Sequence, residues 1–195
     1  MGKILFAALM SCSLLSARPA LSLAQYTVNF SSAGEANPSP GTGFGTVDYD
    51  SSLHTLTLSA NFSGLTGNTT ASHIHAPTAV PFTGNAGVAT TTPSFVGFPL
   101  GVASGSYART LDLTQASSWN NSFVGIDTLA FAETKLATAM ADGKAYWNIH
   151  STFSTGGEIR GFLVAVPEPS SLALLGLGLV GITAGVWSER RARKE

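Results

Sequence analysis

The feature that most constrains this chain is an alternation of apolar and polar residues with a period of two, in short runs broken by turn formers. Tyr26-Thr27-Val28-Asn29-Phe30 alternates, as does Gly45-Thr46-Val47-Asp48-Tyr49. Residues 53–60 put His54, Leu56, Leu58 and Ala60 on one face, with Thr and Ser on most of the other. Successive side chains of a strand point to opposite faces, so this spacing builds half-buried strands. Asp50, Ser51 and Ser52 separate the last two runs and predict a β-hairpin. Further strands are expected over 71–76, 87–91, 105–113, 145–150 and 158–166. Short strands divided by Gly, Pro, Asn and Ser make an all-β sandwich or barrel the expected fold class. One segment departs from the period. Over 127–142, Leu129, Ala132, Leu136, Ala139 and Met140 follow helical spacing, with Asp127 as N-cap and Gly143 as the stop. Residues 90–105, with Pro93, Gly97, Pro99 and Gly101, read as a loop.

The strands occupy the middle of the 195-residue chain. Lys3 followed by the apolar residues 4–15 reads as a secretory signal peptide, with Ser22 and Ala24 as the small residues of a cleavage site. Residues 1–24 are therefore set aside from the fold. Cys12, the single cysteine, lies within them. As a lipid-attachment site it fits poorly, because apolar residues continue past it to Leu23. Cleavage after Ala24 leaves residues 25–166 without cysteine, which excludes an internal disulfide and any cysteine-ligated zinc site.

At the other end, Pro167-Glu168-Pro169 precedes an uncharged apolar run over 172–187. With the residues just before it, this run reads as a membrane helix over 170–187, long enough to approach a hydrocarbon core of ~30 Å. Gly176, Gly178, Gly181 and Gly185 suit a membrane helix better than a soluble one. Arg190, Arg191, Arg193 and Lys194 follow, so the tail is expected on the cytoplasmic side and the domain outside. The three parts together resemble the PEP-CTERM sorting signal of Gram-negative bacteria. That resemblance implies recognition by an exosortase, a membrane cysteine protease, and delivery to the cell surface or extracellular polymer.

Between these ends, Arg109, Lys135, Lys144 and Arg160 face eight acidic residues. An acidic exported domain gives nucleic-acid phosphates no basic surface to meet.

Three of the four histidines fall in two short strands. His73 and His75 share one face of the first. In the second, Tyr146, Asn148 and His150 share one face, and Trp147 and Ile149 the other. Three neutral imidazoles converging from two strands are a plausible Zn²⁺ or Cu²⁺ site, with water or Glu158 as a fourth ligand. The competing reading keeps them as structural histidines at a sheet edge, with Glu158 and Arg160, on one face of their own strand, pairing nearby. His54 stands apart from both motifs and reads as a half-buried strand residue. Asp48 and Asp50, beside a turn, are too few oxygens for a calcium site and read as solvated. Asn61-Phe62-Ser63 and Asn68-Thr69-Thr70 match the glycosylation sequon, which a bacterial exported protein seldom uses.

His73-Ile74-His75, then Ala145-Tyr146-Trp147-Asn148-Ile149-His150-Ser151, then Gly156-Gly157-Glu158-Ile159-Arg160-Gly161, resemble the CHRD domain, named after chordin. The resemblance runs over most of 25–166. It implies an immunoglobulin-like, Greek-key β-sandwich, here with one short helix, and no defined activity, although animal relatives act in growth-factor binding. A fainter similarity to Cu/Zn superoxide dismutase rests on the His-x-His strand alone. That family's further ligand histidines, zinc loop and disulfide are missing, so dismutase activity is not expected. Catalytic motifs such as Gly-x-Ser-x-Gly and His-Glu-x-x-His are absent as well. Two functions follow as expectations. One is a surface-displayed, non-enzymatic binding or structural module, with extracellular polysaccharide or surface proteins as partners. The other is a metal-binding extracellular protein, redox-active if the ion is copper.

Overall fold

The computed structural model describes residues 23–167. Eight strands hydrogen-bond into one antiparallel sheet: β1 (Leu23–Ser31), β2 (Thr42–Asp50), β3 (Thr55–Ser63), β4 (Thr69–His75), β5 (Gly105–Asp112), β6 (Tyr146–Ser151), β7 (Ile159–Phe162) and β8 (Val164–Ala165). Their order is β4-β6-β7-β1-β2-β3-β5, with β8 also on β1. The expected sandwich is met only in part. Trp147 of β6 and Tyr107 of β5, far apart in the strand order, bring their rings to 6.4 Å. The sheet therefore curls until its two ends face each other, but it stays continuous through β1. The bend falls where β1 changes partners, meeting β7 only at Ser31↔Arg160 and β8 at Tyr26↔Ala165 and Thr27↔Val164.

The period-two runs become this sheet because one face of each is apolar and is buried. Leu56, Leu58, Ala60 and Phe62 of β3 are buried, while Thr57, Ser59, Asn61 and Ser63 between them are exposed. Trp147 is fully buried and packs edge-on to Phe30 and Phe95 at 5.4 and 5.8 Å. Its indole N–H donates to Ser72 Oγ at 2.7 Å, as a buried donor requires.

The hairpin forms as expected, with Asp50 accepting from the amides of Ser52 and Leu53 in the turn. His54 departs from its expected place in β3. It ends the turn at φ +54, half-exposed, and its Nδ1 lies 2.9 Å from Glu133. The segment 87–91 is not a regular strand. It runs beside β4, where Ala89 donates to Ile74 O and Ile74 N donates to Thr90 Oγ1, but its only ladder contact with β4 is the isolated bridge His75↔Val88. The edge of β4 is covered this way, which denies other chains a pairing template. The expected strand over 158–166 is split in two at Leu163, whose side chain is buried.

The helix expected over 127–142 is α2 (Leu129–Ala141), following a single turn α1 (Asn121–Val124) that the sequence pattern does not reveal. Thr128, not Asp127, caps α2, its hydroxyl accepting from Phe131 N at 3.2 Å. Ala132, Leu136, Ala139 and Met140 are its buried stripe, and Gly143 stops it at φ +67.

β1 begins at Leu23, so two of its register pairs, Leu23↔Asp50 and Ala24↔Tyr49, use residues assigned to the signal peptide. Cleavage after Ala24 leaves the ladder from Gln25↔Asp48 onward. At the same corner Val166 N donates to Gln25 O at 2.8 Å, so the start and exit of the domain are clipped together. The rest of the signal peptide, Glu168, Pro169, the membrane helix over 170–187 and the basic cluster of Arg190, Arg191, Arg193 and Lys194 lie outside the described residues. Among the described residues no helix is long and apolar enough to cross a membrane.

Candidate metal centre

β4 and β6 pair antiparallel, with His73 opposite Asn148, His75 opposite Tyr146 and Ala71 opposite His150. Residues opposite one another share a face, so this register puts His73, His75 and His150 on the same side. The other side carries Ser72, Ile74, Trp147 and Ile149 into the core. Both faces are covered here, and His73 and His75 are only 5% and 8% exposed. One ring nitrogen from each of the three histidines lies within 4.8 Å of the others.

Backbone carbonyls fix each ring. His73 Nε2 donates to Pro93 O at 2.7 Å, His75 Nδ1 to Ala86 O at 2.9 Å and His150 Nδ1 to Thr155 O at 2.9 Å. A carbonyl only accepts, so these nitrogens carry the protons. In a neutral ring the opposite nitrogen is then bare. His73 Nδ1 and His150 Nε2 stand 3.2 Å apart, and His75 Nε2 is buried with no hydrogen-bond partner. Burial lowers His73 and His75 to pKa values of about 4, against the carbonyl bonds, and burial also lowers His150. Three neutral rings, each with one bare nitrogen, thus cluster on this face. A cation placed there turns mutual repulsion into ligation. Backbone acceptors on the far nitrogens are the usual support of metal-bound imidazoles. Nitrogens on one tetrahedral ion at 2.0–2.1 Å stand about 3.3 Å apart. The His73–His150 pair already has that spacing, and a His75 ring nitrogen lies within 4.8 Å of the other two.

His75 stacks on Tyr146, with ring centroids 4.8 Å apart and planes 10° from parallel. The Arg160 guanidinium lies 4.6 Å from the Tyr146 ring centroid. Its carboxylate partner is Glu35, at 3.4 Å from Nε, and its Nη1 donates to Asn85 Oδ1 at 2.6 Å. Glu158 does not pair with Arg160, and it is not among the clustered ligands. It is fully buried, and its carboxylate accepts from Ser39 Oγ, Ser151 Oγ and the amides of Thr66 and Gly67. Burial would raise its pKa, but these four donors outweigh it and hold the group ionised below the usual range. Glu158 therefore ties a loop to the sheet. Its alternation with Arg160 fails because it precedes β7, just after Gly157 at φ +138.

Sequence reasoning found the three imidazoles. It missed the carbonyls of Ala86, Pro93 and Thr155, which carry no side-chain signal, and Glu35, which lies far from Arg160 in sequence. Asp48 and Asp50 bind no common centre: Asp48 accepts from Gln25 and Asp50 caps its turn.

The site and its curled sheet define a small all-β scaffold with an imidazole cluster on one covered face. The CHRD domain family model matches residues 26–163, and the chain belongs to that family. A PEP-CTERM protein-sorting motif matches residues 165–191, which implies export, anchoring in the membrane or envelope and processing by an exosortase. No curated protein and no solved structure matches the chain significantly.

Proposed function

We propose that this exported domain is a non-enzymatic module of a Gram-negative cell surface that holds one Zn²⁺ or Cu²⁺ through His73, His75 and His150. The observation that carries the reading is the cluster of three ring nitrogens within 4.8 Å of one another, with His73 Nδ1 and His150 Nε2 at 3.2 Å and the other nitrogen of each of those two rings on a backbone carbonyl. All-imidazole sites suit zinc and copper, and copper binds such donors more tightly. Exosortase delivery supports a place among extracellular polysaccharide and surface proteins, where a metal-bearing module meets ions that the cytoplasm does not buffer.

The test is metal analysis of the purified full chain, followed by thermal unfolding with added Zn²⁺ or Cu²⁺. One ion per chain is expected. Saturation at 100 times Kd stabilises the native state by about 2.7 kcal/mol, because the ion binds only the assembled site. His75→Ala and His150→Ala should abolish the effect, and His54→Ala should leave it intact. A chain whose Tm is indifferent to both metals is a structural module, and the metal reading is then lost.

A further inference from the structure

The imidazole cluster supplies three donors and no carboxylate of its own. We propose that the ion held there keeps its fourth position open toward the His150 side and takes a small inorganic anion at that position. This inference rests on the metal reading above.

Three observations lead to it. The first is the donor count. Among the described residues the cluster contains three imidazoles and no carboxylate. The two carboxylates discussed above are committed elsewhere, Glu158 to its hydroxyls and amides and Glu35 to Arg160. Zinc and related ions prefer four ligands, and three protein ligands with one open position is the pattern of sites that accept an outside ligand.

The second is charge. Neutral imidazoles leave a divalent ion its full charge. The nearest carboxylate, Glu35, is paired with Arg160 and does not ligate the cluster to offset that charge. A net positive centre beneath a partly dry surface favours an anion over water as the fourth ligand, since attraction between charges grows as the local dielectric falls.

The third is access. His73 and His75 are buried, with Pro93 and Ala86 lying against their far nitrogens. His150 is only partly buried, the least enclosed of the three. A ligand reaching the ion from that side enters beside two buried rings, which favours a few atoms over a bulky group.

The experiment uses the full chain in detergent, loaded with one equivalent of Cu²⁺, with azide as the probe. Azide should produce a new charge-transfer absorption band and a shifted electron paramagnetic resonance spectrum, saturating at one azide per copper with the copper retained. Benzoate, equally anionic but bulky, should leave both spectra unchanged. One retained copper with a spectrum that azide does not move would overturn the inference and leave the metal reading standing. Loss of copper on adding azide, or an equal response to benzoate, also overturns it. A chain that takes up neither Cu²⁺ nor Zn²⁺ removes the metal reading and this inference together.

Discussion

His73 Nδ1 and His150 Nε2 face each other at 3.2 Å, and each ring's other nitrogen is already spent on a backbone carbonyl. Without metal, two neutral rings so placed repel each other, and a proton between them would relieve this only against the burial that keeps both rings neutral. This makes the metal-free protein sensitive to acid. Unfolded histidine titrates near 6.5, whereas His73 and His75 in the folded chain titrate at about 4. Between those values the unfolded state binds more protons. Stability is therefore fullest above about pH 6.5 and declines as pH falls toward 4. Urea midpoints of the metal-free chain at pH 7.5 and pH 5 measure this directly. Equal midpoints would show that the rings are not held neutral. Metal should raise the midpoint at pH 7.5 more than at pH 5, since ligation needs unprotonated imidazoles.

Glu158 offers a contrast within the same region. Glu158→Ala removes the acceptor shared by Ser39, Ser151, Thr66 and Gly67 and strands buried donors. Hydrogen bonds to a charged group contribute about 1.5–3 kcal/mol each, so a loss of at least about 3 kcal/mol is expected. Glu158→Gln should lose less. In either variant that still folds, the number of metal ions bound per chain should be unchanged. A Glu158→Gln chain that folds but fails to bind would return this carboxylate to the ligand set.

Gly157 links the two. A Cβ added there would sit 2.3 Å from the Asn148 amide, on a backbone at φ +138 that other residues rarely adopt. Gly157→Ala is expected to cost about 1–3 kcal/mol. The same turn carries the Thr155 carbonyl that fixes His150, so metal affinity should drop along with Tm. Isothermal titration checks the second effect, and an unchanged affinity in a destabilised variant would mean that the turn does not position the ring.

Much of this architecture was readable in the residues. Alternation put Leu56, Leu58 and Ala60 on a buried face, and helical spacing found Ala132, Leu136, Ala139 and Met140. Alternation also put His73 with His75, and His150 with Asn148, on single faces of their strands. It could not say that the two strands are neighbours, because pairing register is set by contacts between segments distant in the chain. Glu158 shows the opposite failure. Its place one residue before β7 looked like part of the strand, and one glycine at an unusual φ sent its carboxylate elsewhere. The continuous sheet escaped notice because the strand period is the same in one curled sheet as in two stacked ones.

The clip between Val166 and Gln25 gathers both ends of the domain at one corner. Arg160 shares a row across the sheet with Asn148 and His73, and six residues carry the chain from Arg160 to Val166. At about 3.3 Å per residue of strand, that is roughly 20 Å. The row that carries His73 therefore joins, through Arg160, the strand that leaves the domain toward its sorting motif, within about that length of chain.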